Sequence, residues 1–175
     1  MMRYCAFLRG VNVKGTSMKM ADVCAVFLNA GMKNVVSVLA TGNILFDSEK
    51  NEKQLKTVLE KSMADHFDYE AFMFIRKADF VTHALKNNPF TTSEEYHTYI
   101  FITSDDIVEE LMTEFDKGKK SDGEAAKIVQ KVFYWKIKKG ETLNSDFGKI
   151  LGKKSFKDKI TSRNINTFEK IVAKI

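Results

Sequence analysis

The side chains best suited to chemistry are cations and amides set beside glycines. FLRGVNVKG, residues 7 to 15, puts Arg9, Asn12 and Lys14 among Gly10 and Gly15; ATGNILFDS brings Asn43 behind Gly42; TSRNINTFEKI carries Arg163 and Asn164. Guanidinium and ammonium groups attract anions, and amides offer donors and acceptors at fixed spacing. The chemistry such a set supports is the holding of a phosphate or carboxylate. RGVNVKG lacks the GK[ST] ending of a phosphate loop and is not GxGxxG. A plainer reading stands beside this one: the glycines permit turns, the asparagines cap local backbone, and Arg9 pairs with an acidic neighbour.

Other chemistries find little support. His66, His83 and His97 are scattered without metal-ligand spacing, and Cys5 and Cys24 do not form CxxC. No GxSxG elbow or HExxH helix occurs. The pairs Asp105-Asp106 and Glu109-Glu110 open a helix, where acids suit the dipole. Metal and cofactor are therefore not expected, and no catalytic signature decides whether the protein is an enzyme.

The elements that must position these residues follow from periodicity. MRYCAFL is apolar at both parities, as in a strand buried on both faces. MADVCAVFLNAGMKNV reads as a helix capped by Ser17 and closed near Ala30 by Gly31. VVSVLA and NILFD make a strand pair around Thr41-Gly42-Asn43. A helix over 51–67 and the strand EAFMFIR complete β-α-β-β-α-β.

KADFVTHALKN, a short helix, leads through Asn88-Pro89-Phe90 to the strand HTYIFIT, a helix, two strands in EAAKIVQKVFYWKI, and helical pieces over 141–151 and 162–174. The order β-α-β-β-α thus recurs. The expected fold is α+β with two ferredoxin-like, split β-α-β halves, over 1–76 and 97–175, joined by a helix and loop over 77–96. In such a unit the loop over 9–19 and the hairpin tip over 41–43 lie at one edge of the sheet. The first helix starts there too, with its positive end toward the same space.

Charge is uneven along the chain. Residues 1–116 hold 12 Lys+Arg against 17 Asp+Glu, whereas 117–175 hold 16 against 6, so a −5 portion precedes a +10 portion. A basic end attracts phosphates, and with pI ≈ 9.1 and Phe133-Tyr134-Trp135 set between lysines it raises weak, salt-sensitive nucleic-acid binding as an alternative. Aromatics on a strand are more often core. Arg9 interrupts the first apolar run before a signal peptide's core is complete, and no stretch could span a bilayer, so a cytoplasmic protein with reduced thiols is expected.

Taken in order over essentially the whole chain, FLRGVNVKG, Met18 and Met20, ATGNILFDS, NPF and TSRNINTFEKI resemble the domain-of-unknown-function family 1697, mostly bacterial proteins whose members look like LLRGINVGG, SGNV, NPF and TxRNWxT. The resemblance implies two ferredoxin-like halves and a shared role for Arg9, Asn12, Asn43, Arg163 and Asn164. It brings no established activity, cofactor or catalytic residue. Lys14 replaces a glycine of that pattern, Thr41 a serine and Ile165 a tryptophan, which removes a stacking ring at 165. In TSRNINTFEKI itself, Thr161 or Ser162 is placed to cap a helix, with Arg163 near its positive end. The function expected is a binding module for a small anionic or nucleotide-like ligand at the edge formed by 9–19 and 41–43. Alternatives are nucleic-acid binding, a non-catalytic interaction protein or homo-oligomer, and an enzyme acting on a phosphorylated substrate.

Overall fold

A computed structural model describes residues 1–11, 17–104 and 107–175. The chain divides into two compact units, Met1–Thr82 with Glu169–Ile175, and His83–Phe168.

The first unit holds β1 (Met2–Arg9), α1 (Met20–Asn29), β2 (Lys33–Val38), β3 (Asn43–Ser48), α2 (Glu52–Phe67) and β4 (Phe72–Lys77), and α3 (Ala78–Lys86) starts in it. Its sheet has the order β2-β3-β1-β4, and β1 runs antiparallel to both β3 and β4. β1 is buried on both faces, as its sequence demands. Tyr4, Ala6 and Leu8 face a core shared with Ile44, Phe46, Val23, Phe27, Leu55, Leu59 and Met63, while Cys5 and Phe7 on the other face are wholly buried as well. Asn51 starts α2 through a capping box: its side chain accepts from the Gln54 N–H, and the Gln54 side chain accepts from the Asn51 N–H.

The second unit repeats the plan with β5 (Tyr96–Thr103), α4 (Val108–Lys117), β6 (Ala125–Val129), β7 (Val132–Lys138), α5 (Asp146–Leu151) and β8 (Ile160–Asn164), the last leading into α6 (Ile165–Val172). Its sheet order, β6-β7-β5-β8, matches that of the first. The fold is thus α+β with two ferredoxin-like halves. Phe133 and Trp135 lie in a core with Phe101, Phe115, Phe147 and Phe156, and Tyr134 is buried on the opposite face, where its hydroxyl donates to Ala84 O at 2.8 Å. The three aromatics between lysines are core, with no free ring for a base.

Three local expectations are corrected. Ser17 does not cap α1; the helix begins at Met20, and Lys19 stands at its N-cap position without a side-chain hydrogen bond. The helical stretch expected over 141–151 starts only at Asp146, capped by Ser145, whose Oγ accepts from the Gly148 N–H. Residues 162–164 are strand, because β5 needs an antiparallel partner on its outer side and β8 supplies it, with Arg163 opposite Ile100 and Asn164 opposite Tyr99. Among the described residues no helix is long and apolar enough to cross a membrane. Cys5 and Cys24 form no disulfide.

Candidate functional site

The end of β1, the β2–β3 tip and the approach to α1 are in contact. The Leu8 N–H donates to Gly42 O at 2.8 Å, and the Met18 N–H donates to Val11 O at 3.3 Å. A Cβ added to Gly42 would lie 3.0 Å from both Leu8 Cβ and Val11 Cγ2, and Gly42 has a φ of +76°. Glycine is required there on both counts, for conformation and for space. Val11 and Met18 are buried in the first core, so this corner of the fold is fixed by packing.

Arg9 closes β1 opposite Phe72 of β4 and is half-buried. Asn43 opens β3 opposite Phe7 and is wholly buried. Its Nδ2 donates to Val38 O at 3.0 Å and to Thr41 Oγ1 at 2.9 Å, so both amide hydrogens hold the hairpin. This is the local bracing role that asparagine commonly takes in turns. It also accounts for threonine in place of serine at 41, since either residue presents the accepting hydroxyl. Asn12 and Lys14 lie outside the described residues. Lys19 is exposed at the start of α1, and its side chain caps none of the helix's first N–H groups. The start of α1 thus offers an ammonium group and a helix N-terminus near a tip shaped by Asn43, whereas strand alternation puts Arg9 on the face of Cys5 and Phe7, away from the core that α1 covers.

Arg163 and Asn164 belong to the second unit and alternate across β8. The Arg163 Nη1 donates to Thr161 Oγ1 and Ser162 O, each at 2.9 Å. Asn164 turns to the other face, where its Nδ2 meets His97 Nδ1 at 2.8 Å while its Oδ1 accepts from the Asn166 N–H at 3.0 Å. It therefore caps α6, the role expected of Thr161 or Ser162. The two residues do not form one wall. Burial, and then the charge of Lys139, hold the His97 imidazole below its ordinary pKa. His97 looked isolated in sequence because its partner is 67 positions away, and only the β5–β8 register brings them together.

The chain belongs to the family described as "Protein of unknown function (DUF1697)", whose model matches residues 1–134. That span contains FLRGVNVKG, ATGNILFDS and NPF; TSRNINTFEKI lies beyond it. Among solved structures, the chain is similar to the conserved bacterial protein SP0830 from Streptococcus pneumoniae, with 24% identity, a TM-score of 0.78, and coverage of 98% of this chain and 97% of that one. A protein of unknown function from Galdieria sulphuraria aligns at 9% identity and a TM-score of 0.27 over 98% of this chain and 88% of that one. None of the curated proteins matches. The family model establishes the family and the likeness to the pneumococcal protein the fold, and neither brings an activity with it.

Proposed function

We propose that the protein is a binding module for a small anionic, nucleotide-like ligand, seated at the edge where β1 ends beside the Thr41–Asn43 tip. The observation that supports this reading is the packed junction of Leu8, Val11, Gly42 and Met18, which joins the end of β1, just before Arg9, to the hairpin tip and the approach to α1. Arg9 supplies the charge, the helix start supplies N–H groups, and Asn43 keeps the tip in shape. The reading needs only residues of the first unit.

Thermal-shift and calorimetric titration with inorganic phosphate and with nucleoside mono- and diphosphates tests it. Arg9→Ala should weaken binding by tenfold or more with the fold intact, since a charge-assisted hydrogen bond contributes about 1.5–3 kcal/mol. An Arg9→Ala protein that melts several degrees lower yet binds each probe as the parent does would make the stretch a structural turn.

A further inference from the structure

The NPF turn presents a different arrangement on the second unit. Beyond α3 the Asn88 side chain closes a tight turn, its Oδ1 accepting from the Phe90 N–H at 3.1 Å and its Nδ2 donating to Phe90 O at 2.8 Å. Asn87 ties the same segment to the β6–β7 tip through Gln130 Oε1 at 3.1 Å. The turn is thereby fixed against the sheet, and the Phe90 ring receives two lysines. Lys127 Nζ of β6 and Lys136 Nζ of β7 each stand 5.6 Å from its centroid, and Lys136 Nζ is also 5.0 Å from the centroid of Tyr96. Tyr96 is held in turn: its hydroxyl donates to Asp122 O at 3.4 Å, and its ring lies where a side chain on Gly123 would sit.

Two ammonium groups gathered on one ring repel each other, and a carboxylate would normally stand between them. Here neither lysine has an ion-pair partner among the described residues. The strand register explains the approach. Lys127 lies opposite Tyr134, and Lys136 follows Tyr134 by two positions on the same face, so the lysines are diagonal neighbours, roughly 7–8 Å apart at the backbone. That spacing lets two ammonium groups reach different oxygens of one tetrahedral anion. Cation–π contact restrains both heads beforehand, and the rings wall off water on one side, which strengthens attraction to a counter-charge.

We infer that Phe90, Tyr96, Lys127 and Lys136 form a second anion site, which takes a phosphate group bridged by the two lysines. The phosphate comes either from a free phosphorylated molecule or from a nucleic-acid backbone. The lysines supply the charge, and the rings supply placement.

The test is an amide-shift NMR titration of the full chain with inorganic phosphate, adenosine monophosphate and a short oligothymidylate. Resonances of Lys127, Lys136 and Phe90 should move. Lys127→Gln and Lys136→Gln should each weaken binding about tenfold, and Phe90→Leu about two- to fivefold. Arg9→Ala should leave this response unchanged, which separates it from the edge on the first unit. Saturation by the small phosphates identifies a free phosphorylated molecule as the source, and a response to the oligonucleotide alone identifies a backbone. Lysine variants that bind every probe as tightly as the parent, or no shift at these residues with any probe, would overturn the inference.

Discussion

The two halves use one frame with different contents. In the first, Tyr4 stacks on Phe46 with centroids 5.8 Å apart and donates its hydroxyl to Lys50 O just before α2. In the second, Tyr99 stacks on Trp135 at 5.5 Å, and its hydroxyl meets Thr142 Oγ1 at 3.4 Å, shortly before α5. Each tyrosine also faces the last residue of its outer strand, Lys77 or Asn164, and that residue runs straight into a helix. With these tyrosines as a common origin, the position of Arg9 falls on Ser104, and the position of Asn43 falls on Val132. The hairpin tips diverge as well. A four-residue connection with Gly42 joins β2 to β3, whereas only Gln130 and Lys131, both with positive φ, join β6 to β7. A split β-α-β frame therefore stands without an arginine and an asparagine at that edge, and their presence in the first half is a property of that half alone.

The cores differ too. α2 runs over 16 residues and buries Leu55, Leu59 and Met63; α5 runs over 6 and buries Phe147. That one ring meets Phe101, Phe115, Phe133 and Trp135 at centroid distances of 5.1 to 6.4 Å. Phe147→Ala should accordingly be the most damaging change, costing about 3–5 kcal/mol in urea unfolding, with Leu59→Ala on α2 at the lower end of about 2–5 kcal/mol. The comparison breaks if Leu59→Ala proves the costlier of the two, because the second half would then not depend on a single ring.

A smaller effect sharpens the same contrast. Gly148 lies in the first turn of α5, and a Cβ there would overlap Thr142 O and stand 2.9 Å from the Ser145 Oγ that caps the helix. Gly148→Ala should cost about 1–3 kcal/mol through overpacking. Hydrogen exchange should show the loss concentrated in α5 and β7, with β1 and β3 unaffected. Equal loss of protection in both sheets would show that the short helix is not the weak point of its own half.

Much of this was legible in the sequence, and the remainder was hidden for a physical reason. Double-sided apolar character located β1, and the order of elements placed Asn88-Pro89-Phe90 between a short helix and a strand, though not the turn that the Asn88 side chain closes there. The pairing of strands 1 and 3, and hence the meeting of residue 42 with residues 8 and 11, followed from topology. β8 was not legible, because Thr161-Ser162-Arg163-Asn164 is rich in capping residues and becomes strand only through its ladder with β5. The inward use of the Asn43 amide and the outward cluster of Lys127 and Lys136 likewise depend on which face of a strand each residue takes. A turn signal does not specify that.

The smallest effect concerns protons. Two positions before the paired tyrosines stand Met2 in the first half and His97 in the second. Met2 cannot titrate, so only the second half carries a proton-sensitive contact at this place. Asn164 has its Oδ1 committed to the Asn166 N–H, which points its Nδ2 at His97 Nδ1, so that ring nitrogen must accept and the imidazole must be neutral. Lys139 is the charged group near the ring, and together with burial it lowers the pKa from the ordinary 6.5. As pH falls through 6.5, the unfolded chain takes up this proton before the folded one does, so stability declines, and the decline ends once pH is below the folded pKa. Asp47 acts in a separate, more acidic window. Burial alone would raise its carboxyl, but hydrogen bonds from Asn34 and Arg3 hold it below its ordinary value, and the stability it contributes is lost only as pH falls through that lowered pKa. Denaturant midpoints measured from pH 7.5 down to 5.5 should therefore fall in the parent and change less in His97→Gln, which keeps an acceptor facing Asn164 without a titrating ring. A His97→Gln slope identical to the parent's over this range would remove His97 as its source and, with it, this difference between the halves.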